Sequence, residues 1–209
     1  MTSPLVLSIH SGKQEPLAGK PGATSAIRKV ALPGPVFVDT LGVRGDVQVD
    51  TRHHGGRFKA LCAYASEHYP ACHARAGVAM PPGSFGENLH LGGLEDADVC
   101  VGDLYELDGG VRVRVAGPRA PCRTLTAHWG DKGFHLWTKE QRVTGWYMAV
   151  EVAGALSPGA ALRRVERPFP AWTMPRFWDL MDRKLGEDAR REFDAVKASP
   201  WLDDDWKKK

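Results

Sequence analysis

Valines at 111, 113 and 115 alternate with Arg112 and Arg114, and Gly117-Pro118 stops the run at once. A period of two over these residues predicts a half-buried strand. The same punctuation recurs along the chain. Leu5, Leu7 and Ile9 alternate with Val6, Ser8 and His10, and short strand-like runs follow at 36–38, 43–49, 85–91, 103–107, 146–152 and 161–165. Gly and Pro, 23 and 15 of the 209 residues, repeatedly interrupt them. Many short strands closed by turns favour a barrel or sandwich over a parallel sheet. One helix is predicted within this part, over 66–75, with Ser66 as its cap, Pro70 in its first turn and Gly77 beyond its end.

The pattern changes near Pro168. Phe177, Leu180, Met181 and Leu185 share one helical face, with Thr173 as a cap, Pro175 in the first turn and Gly186 past the end. A second helix buries Ala189, Phe193 and Val196, and Ser199-Pro200 opens a short third turn with Trp201 and Trp206. Such short helices need a surface to pack on. Packing onto the β domain and covering a partner or substrate are both open for these tryptophans. The expected class is mainly β, a barrel with a few short helices at 1–167, plus a small C-terminal α-helical appendage at 168–209.

Bulk properties exclude several classes. A chain of this length buries about 70% of its unfolded surface and needs no metal or disulfide to fold. Lys and Arg total 28 against 25 Asp and Glu, a net charge of +3, with the basic residues scattered. That is no footprint for a nucleic acid duplex. No apolar run approaches the roughly 18 residues of a membrane span, and the N-terminus lacks a signal-type core. The four cysteines, at 62, 72, 100 and 122, form no C-x-x-C pair. A reducing, cytoplasmic location is expected.

Cys122 carries the most chemistry. It lies in Gly117-Pro118-Arg119-Ala120-Pro121-Cys122-Arg123-Thr124, a rigid, electropositive turn after a strand. One guanidinium about 6 Å away, at an effective dielectric of about 20, favours the thiolate by roughly 3 kcal/mol, or about two pKa units. A buried packing cysteine is the plainer alternative. His53-His54-Gly55-Gly56 puts imidazoles beside flexible backbone. Ser84-Phe85-Gly86-Glu87-Asn88 offers a carboxylate and an amide at a strand entrance, or a turn cap. Arg142 presents a planar fork suited to phosphate, or a solvated charge. Gly19-Lys20 does not make a phosphate loop, because Pro21 stands where Ser or Thr is required.

The ordered set Leu41-Gly42-Val43-Arg44-Gly45-Asp46, His54-Gly55-Gly56, Phe85-Gly86-Glu87-Asn88-Leu89, Gly102-Asp103, Pro118-Arg119-Ala120-Pro121-Cys122 and Gly145-Trp146-Tyr147 closely resembles the MOSC family, the C-terminal domain of molybdenum cofactor sulfurases. Within it the chain looks most like the bacterial YiiM-like branch, over about residues 5–168, and the tail resembles the three-helix domain that follows there. The family's early Lys-Pro-Ser-Ala-Ile pattern is altered here to Lys20-Pro21-Gly22-Ala23-Thr24-Ser25-Ala26-Ile27.

The resemblance implies a β-barrel that binds a molybdenum-pterin cofactor, with Cys122 as the thiolate ligand. Such a soft donor suits a metal held by dithiolene sulfurs. Arg119, Asn88, Ser25, Thr124 and Arg142 are then the implied cofactor contacts, and His54 and Glu87 the implied proton donors beside Cys122. The implied activity is reduction of N-hydroxylated compounds, such as hydroxylaminopurines or amidoximes, to the amine and water. The chain has neither an iron–sulfur cysteine pattern nor a dinucleotide fingerprint, so a separate electron-donating reductase is an expected partner. A homodimer is the other partner arrangement considered. The alternatives are a persulfide carrier acting through Cys122 and a cofactor-binding module without turnover. The family's larger sulfurases carry a pyridoxal-phosphate desulfurase domain, for which this chain has no room, so a pyridoxal phosphate site is not expected.

Overall fold

The computed structural model describes residues 3–51 and 53–209. The chain opens with β1 (Leu5–Gly12), the two-residue strands β2 (Glu15–Pro16) and β3 (Thr24–Ser25), then β4 (Lys29–Ala31), β5 (Val36–Asp39) and β6 (Gly42–Val43). After β7 (Leu61–Ala65) come helix α1 (Tyr69–Ala76) and strands β8 (Leu89–Gly92), β9 (Leu104–Leu107) and β10 (Arg112–Pro118). Helices α2 (Arg123–Trp129) and α3 (Phe134–Glu140) precede β11 (Trp146–Val152), β12 (Gly154–Leu156) and β13 (Leu162–Glu166). The tail holds α4 (Met174–Met181), α5 (Glu187–Ala198) and α6 (Asp204–Lys207).

The main sheet has eight strands in the order β13-β9-β10-β11-β7-β8-β1-β4, and only its β7–β8 pair is parallel. No continuous ladder closes it into the expected barrel. An antiparallel bridge from Leu5 to Ala161, with Val6 N–H donating to the Ala160 carbonyl, ties β1 back to the start of β13. The sheet therefore bends round on itself without a full closing ladder. Strands β12, β5 and β6 make a separate three-stranded sheet, and β2 pairs with β3.

Several local expectations change for identifiable reasons. Val6 and Ile9 are buried whereas Leu5 and Leu7 are exposed, because the β1–β8 register slips between Val6 and Ser8 and switches the buried face. Strand β10 is buried on both sides beyond Arg112. Arg114 is enclosed by Glu151 and Glu166, with its guanidinium 4.6 Å from the Trp201 ring centre. The run at 43–49 yields only Val43, because Gly45 turns the chain and Asp46 is drawn in by the Gly12 amide and Lys29. Ser66 does not cap α1; a 3-10 turn at Ser66–His68 precedes that helix, while Gly77 ends it in the left-handed region. The strand expected at 85–91 starts only at Leu89. Helix α4 stops at Met181, before Leu185.

The tail shares the main hydrophobic core with the sheet. Met174, Phe177, Phe193, Val196, Leu202 and Trp206 are buried together with Val113, Val115 and Trp146. Thr173 caps α4 by accepting from Arg176 N–H, as its sequence position predicts. Gly117 shows why the fit is close: a Cβ there would lie 3.1 Å from the Trp206 ring, on backbone with φ of 136°. No helix among the described residues is long and apolar enough to cross a membrane.

Candidate active site

Strand β10 ends at Pro118, directly before Arg119, which lines a cleft of about 140 Å³, and Ala120-Pro121 carry the chain on to Cys122. Cys122 occupies the extended position just before α2. That helix is held by Leu125, which is buried in a cluster with Tyr64, Phe85 and Phe134. The thiol position thus depends on packing between segments distant in sequence.

Cys122, Arg119, His54, Thr124, Ser25 and Asn88 all line this one cleft. Burial pushes the Cys122 thiol up, but hydrogen bonding from His54 and Thr124 and the charge of Arg119 outweigh it and hold the pKa at about 6. The sulfur is therefore mostly thiolate at neutral pH. Arg119 is only 4% exposed, and among the described residues no carboxylate lies within ion-pair distance of it. A buried guanidinium with no carboxylate to satisfy it favours an anion, here the Cys122 thiolate and any anionic ligand beside it. Cys62 lines the same cleft, yet burial pushes its thiol up to about 12, so it remains protonated.

The two adjacent imidazoles diverge. His53 is exposed and lies 2.9 Å from Asp50, whereas His54 Nδ1 is 3.0 Å from the Tyr147 hydroxyl inside the cleft. Burial raises the Tyr147 pKa, keeping its hydroxyl protonated. When Tyr147 donates to Nδ1, the N–H of the His54 ring is on Nε2. Position in the Gly145-Trp146-Tyr147 motif does not by itself assign Tyr147 a role. Its pairing spans 93 residues, and no local pattern signals it.

Three residues expected at the site have other work. Glu87 is fully buried and does not line the cleft; it accepts from Tyr69 and from the Gly83 and Phe85 amides, closing the 83–88 turn. Those bonds also explain why the predicted strand begins late. Asn88 reaches the cleft wall, but its Nδ2 donates to His10 O and Asp46, and its Oδ1 accepts from Cys62 N–H. It positions the buried Lys29–Asp46 pair, which lines the same cleft and which residue-type reasoning missed. Arg142 does not line the cleft. Its guanidinium is taken by Asp179 and Asp182, fastening α4 to the loop after α3.

The assembled site offers one soft thiolate, one buried cation with no carboxylate partner among the described residues, an imidazole paired with a phenol, and flanking hydroxyls. This set complements a thiophilic metal carried on an anionic ligand. Residues 50–163 match the MOSC domain, and the chain belongs to that family. It is 37% identical to YflK of Bacillus subtilis over 164 residues, covering 78% of this chain and 73% of that protein. A reductase of Gibberella moniliformis is 34% identical over 179 residues, 81% of this chain but only 31% of that longer protein. In three dimensions, YiiM from Geobacillus stearothermophilus superposes with a TM-score of 0.80 at 29% identity, over 98% of this chain and 96% of the other.

Proposed function

We propose that this protein is a molybdenum-cofactor-dependent reductase of N-hydroxylated compounds, with hydroxylaminopurines and amidoximes as the substrate class. The observation that carries the reading is the Cys122 thiolate, held near pKa 6 beside the buried Arg119. Cys122 would ligate the metal, and Arg119 would neutralise the anionic cofactor, with the Ser25 and Thr124 hydroxyls on the same wall. When bound, the molybdenum-pterin group supplies two-electron redox chemistry. The net reaction is R–NHOH plus two electrons and two protons to R–NH2 and water.

The chain's own residues handle the protons and the charge. His54 holds a proton within the cleft, and Tyr147 fixes its ring. As an N–O bond breaks, His54 would pass its Nε2 proton to the leaving hydroxyl while Nδ1 takes one from solvent through the Tyr147 hydroxyl, so that water leaves and no imidazolate forms. Electrons come from a separate reductase, and the MOSC family and its reductase-named relative support this class of activity.

The direct test is reduction of benzamidoxime or 6-hydroxylaminopurine by cofactor-loaded protein with reduced methyl viologen. Cys122→Ala should reduce turnover to background while circular dichroism stays unchanged. Undiminished turnover would remove the reading. The low thiol pKa equally suits a persulfide carrier. Metal-free protein incubated with a cysteine desulfurase and cysteine would then gain one sulfur at Cys122 by mass spectrometry.

A further inference from the structure

A second cavity, of about 740 Å³, opens among α4, α5 and the C-terminal residues. Its floor is aromatic: Trp178, Phe193 and Trp206 are each 4% exposed, and Trp178 meets Trp206 edge-on at 5.2 Å between ring centres. Its rim is basic. Arg183, Arg190, Lys197 and Lys209 line it, and among the described residues none of the four has a carboxylate within ion-pair distance. Lys139, by contrast, is paired with Asp182. Four uncompensated cations around one opening make an anion-attracting surface.

Helix α6 joins this groove to the Cys122 cleft. Trp206 forms part of the groove, and its Nε1–H donates to the Pro118 carbonyl, next to Arg119, at 3.1 Å. Lys59, which lines the cleft, pairs with Asp205 at 2.6 Å and Asp203 at 3.5 Å. A protein docked in the groove would therefore sit one short helix away from the reacting centre.

We propose that the groove docks the carboxylate-rich face of a protein electron donor, an inference that rests on the reductase reading above. Charge complementarity selects the occupant. A nucleic acid fits less well, because the floor rings are too buried to present faces for base stacking. An acidic redox protein needs only surface carboxylates, and electron-transfer encounters are characteristically small. Electrostatic steering also makes them sensitive to salt. With a one-electron carrier such as a [2Fe–2S] ferredoxin, two reduced carriers are oxidised per turnover. Their two electrons, with two protons, convert R–NHOH to R–NH2 and water.

The test uses the full cofactor-loaded chain and an acidic [2Fe–2S] ferredoxin, with binding read by titration calorimetry at low and high salt. The proposal predicts binding that weakens with salt. The Arg190→Glu/Lys197→Glu variant should weaken it about tenfold or more. The Arg190→Lys/Lys197→Arg variant should retain it, and both variants should keep wild-type turnover with methyl viologen. An unchanged Kd in the charge-reversed protein, no ferredoxin binding at either salt, or displacement of ferredoxin by oligo(dT) would each overturn the proposal. A wild-type protein inactive with methyl viologen would instead sink the reductase reading, and the titration would still decide the groove.

Discussion

Arginines in two regions of this molecule have their charge met on opposite terms. Beside the tail, Arg167 clasps the fully buried Asp103 through Nε at 2.8 Å and Nη2 at 2.6 Å, and Arg114 is divided between Glu151 and Glu166. At the cleft, Arg119 is only 4% exposed, more buried than Arg167, and has no carboxylate partner among the described residues, facing the Cys122 sulfur instead. The first arrangement has its charges satisfied from within and serves the fold. The second leaves an electrostatic requirement that a ligand can meet. Burial alone does not separate structural from functional charges; the presence of a carboxylate counter-ion does.

The largest test of this contrast removes each cation. Arg167→Ala leaves Asp103 buried without its cation and should cost roughly 3–5 kcal/mol in urea unfolding. Arg119→Met removes a cation whose partner, the Cys122 thiolate, can take up a proton instead of staying buried as an unpaired charge, so the loss should be smaller, about 1 kcal/mol. Equal losses for the two would break the contrast.

A smaller effect sharpens the cleft side. Thiolate, not thiol, reacts with iodoacetamide, so the alkylation rate of Cys122 in metal-free protein should rise with pH and reach half its plateau near 6. It should fall away below that pH. His54→Ala removes an interaction that lowers the thiol pKa, and the midpoint should move up toward the ordinary value of 9.0. A midpoint already near 9 in the wild type would contradict the site electrostatics. The smallest expected effect is that of Tyr147→Phe, which leaves His54 in place but frees its ring. The midpoint should move in the same direction as in His54→Ala, by less.

Strands β10, β11 and β13 were legible because each pairs a regular run with a Gly or Pro stop, and Thr173 and Pro175 marked the start of α4 correctly. Helices α2 and α3 were missed, although Gly130 in the left-handed region ends α2 and could have been read as a cap. The slip in β1 was hidden because a bulge leaves an alternating sequence looking regular while changing the buried face. Residue type and motif order single out Cys122, Arg119 and His54, and the fold brings these three to one cleft. The duties of Glu87, Asn88 and Arg142 were not legible, since Tyr69, Asp46 and Asp179 claim them only after folding. Residue type declares what a side chain can do, and its neighbours determine what capacity remains for a ligand.

The most direct measurement is the molybdenum and pterin content of protein purified from a host that makes the cofactor and is supplied with molybdate. Near-stoichiometric metal and pterin in the wild type, with loss of both in folded Cys122→Ala and Arg119→Met proteins, is the predicted result. Wild-type protein free of both, or variants that retain them in full, would contradict the assignment of Cys122 and Arg119 to an anionic metal cofactor.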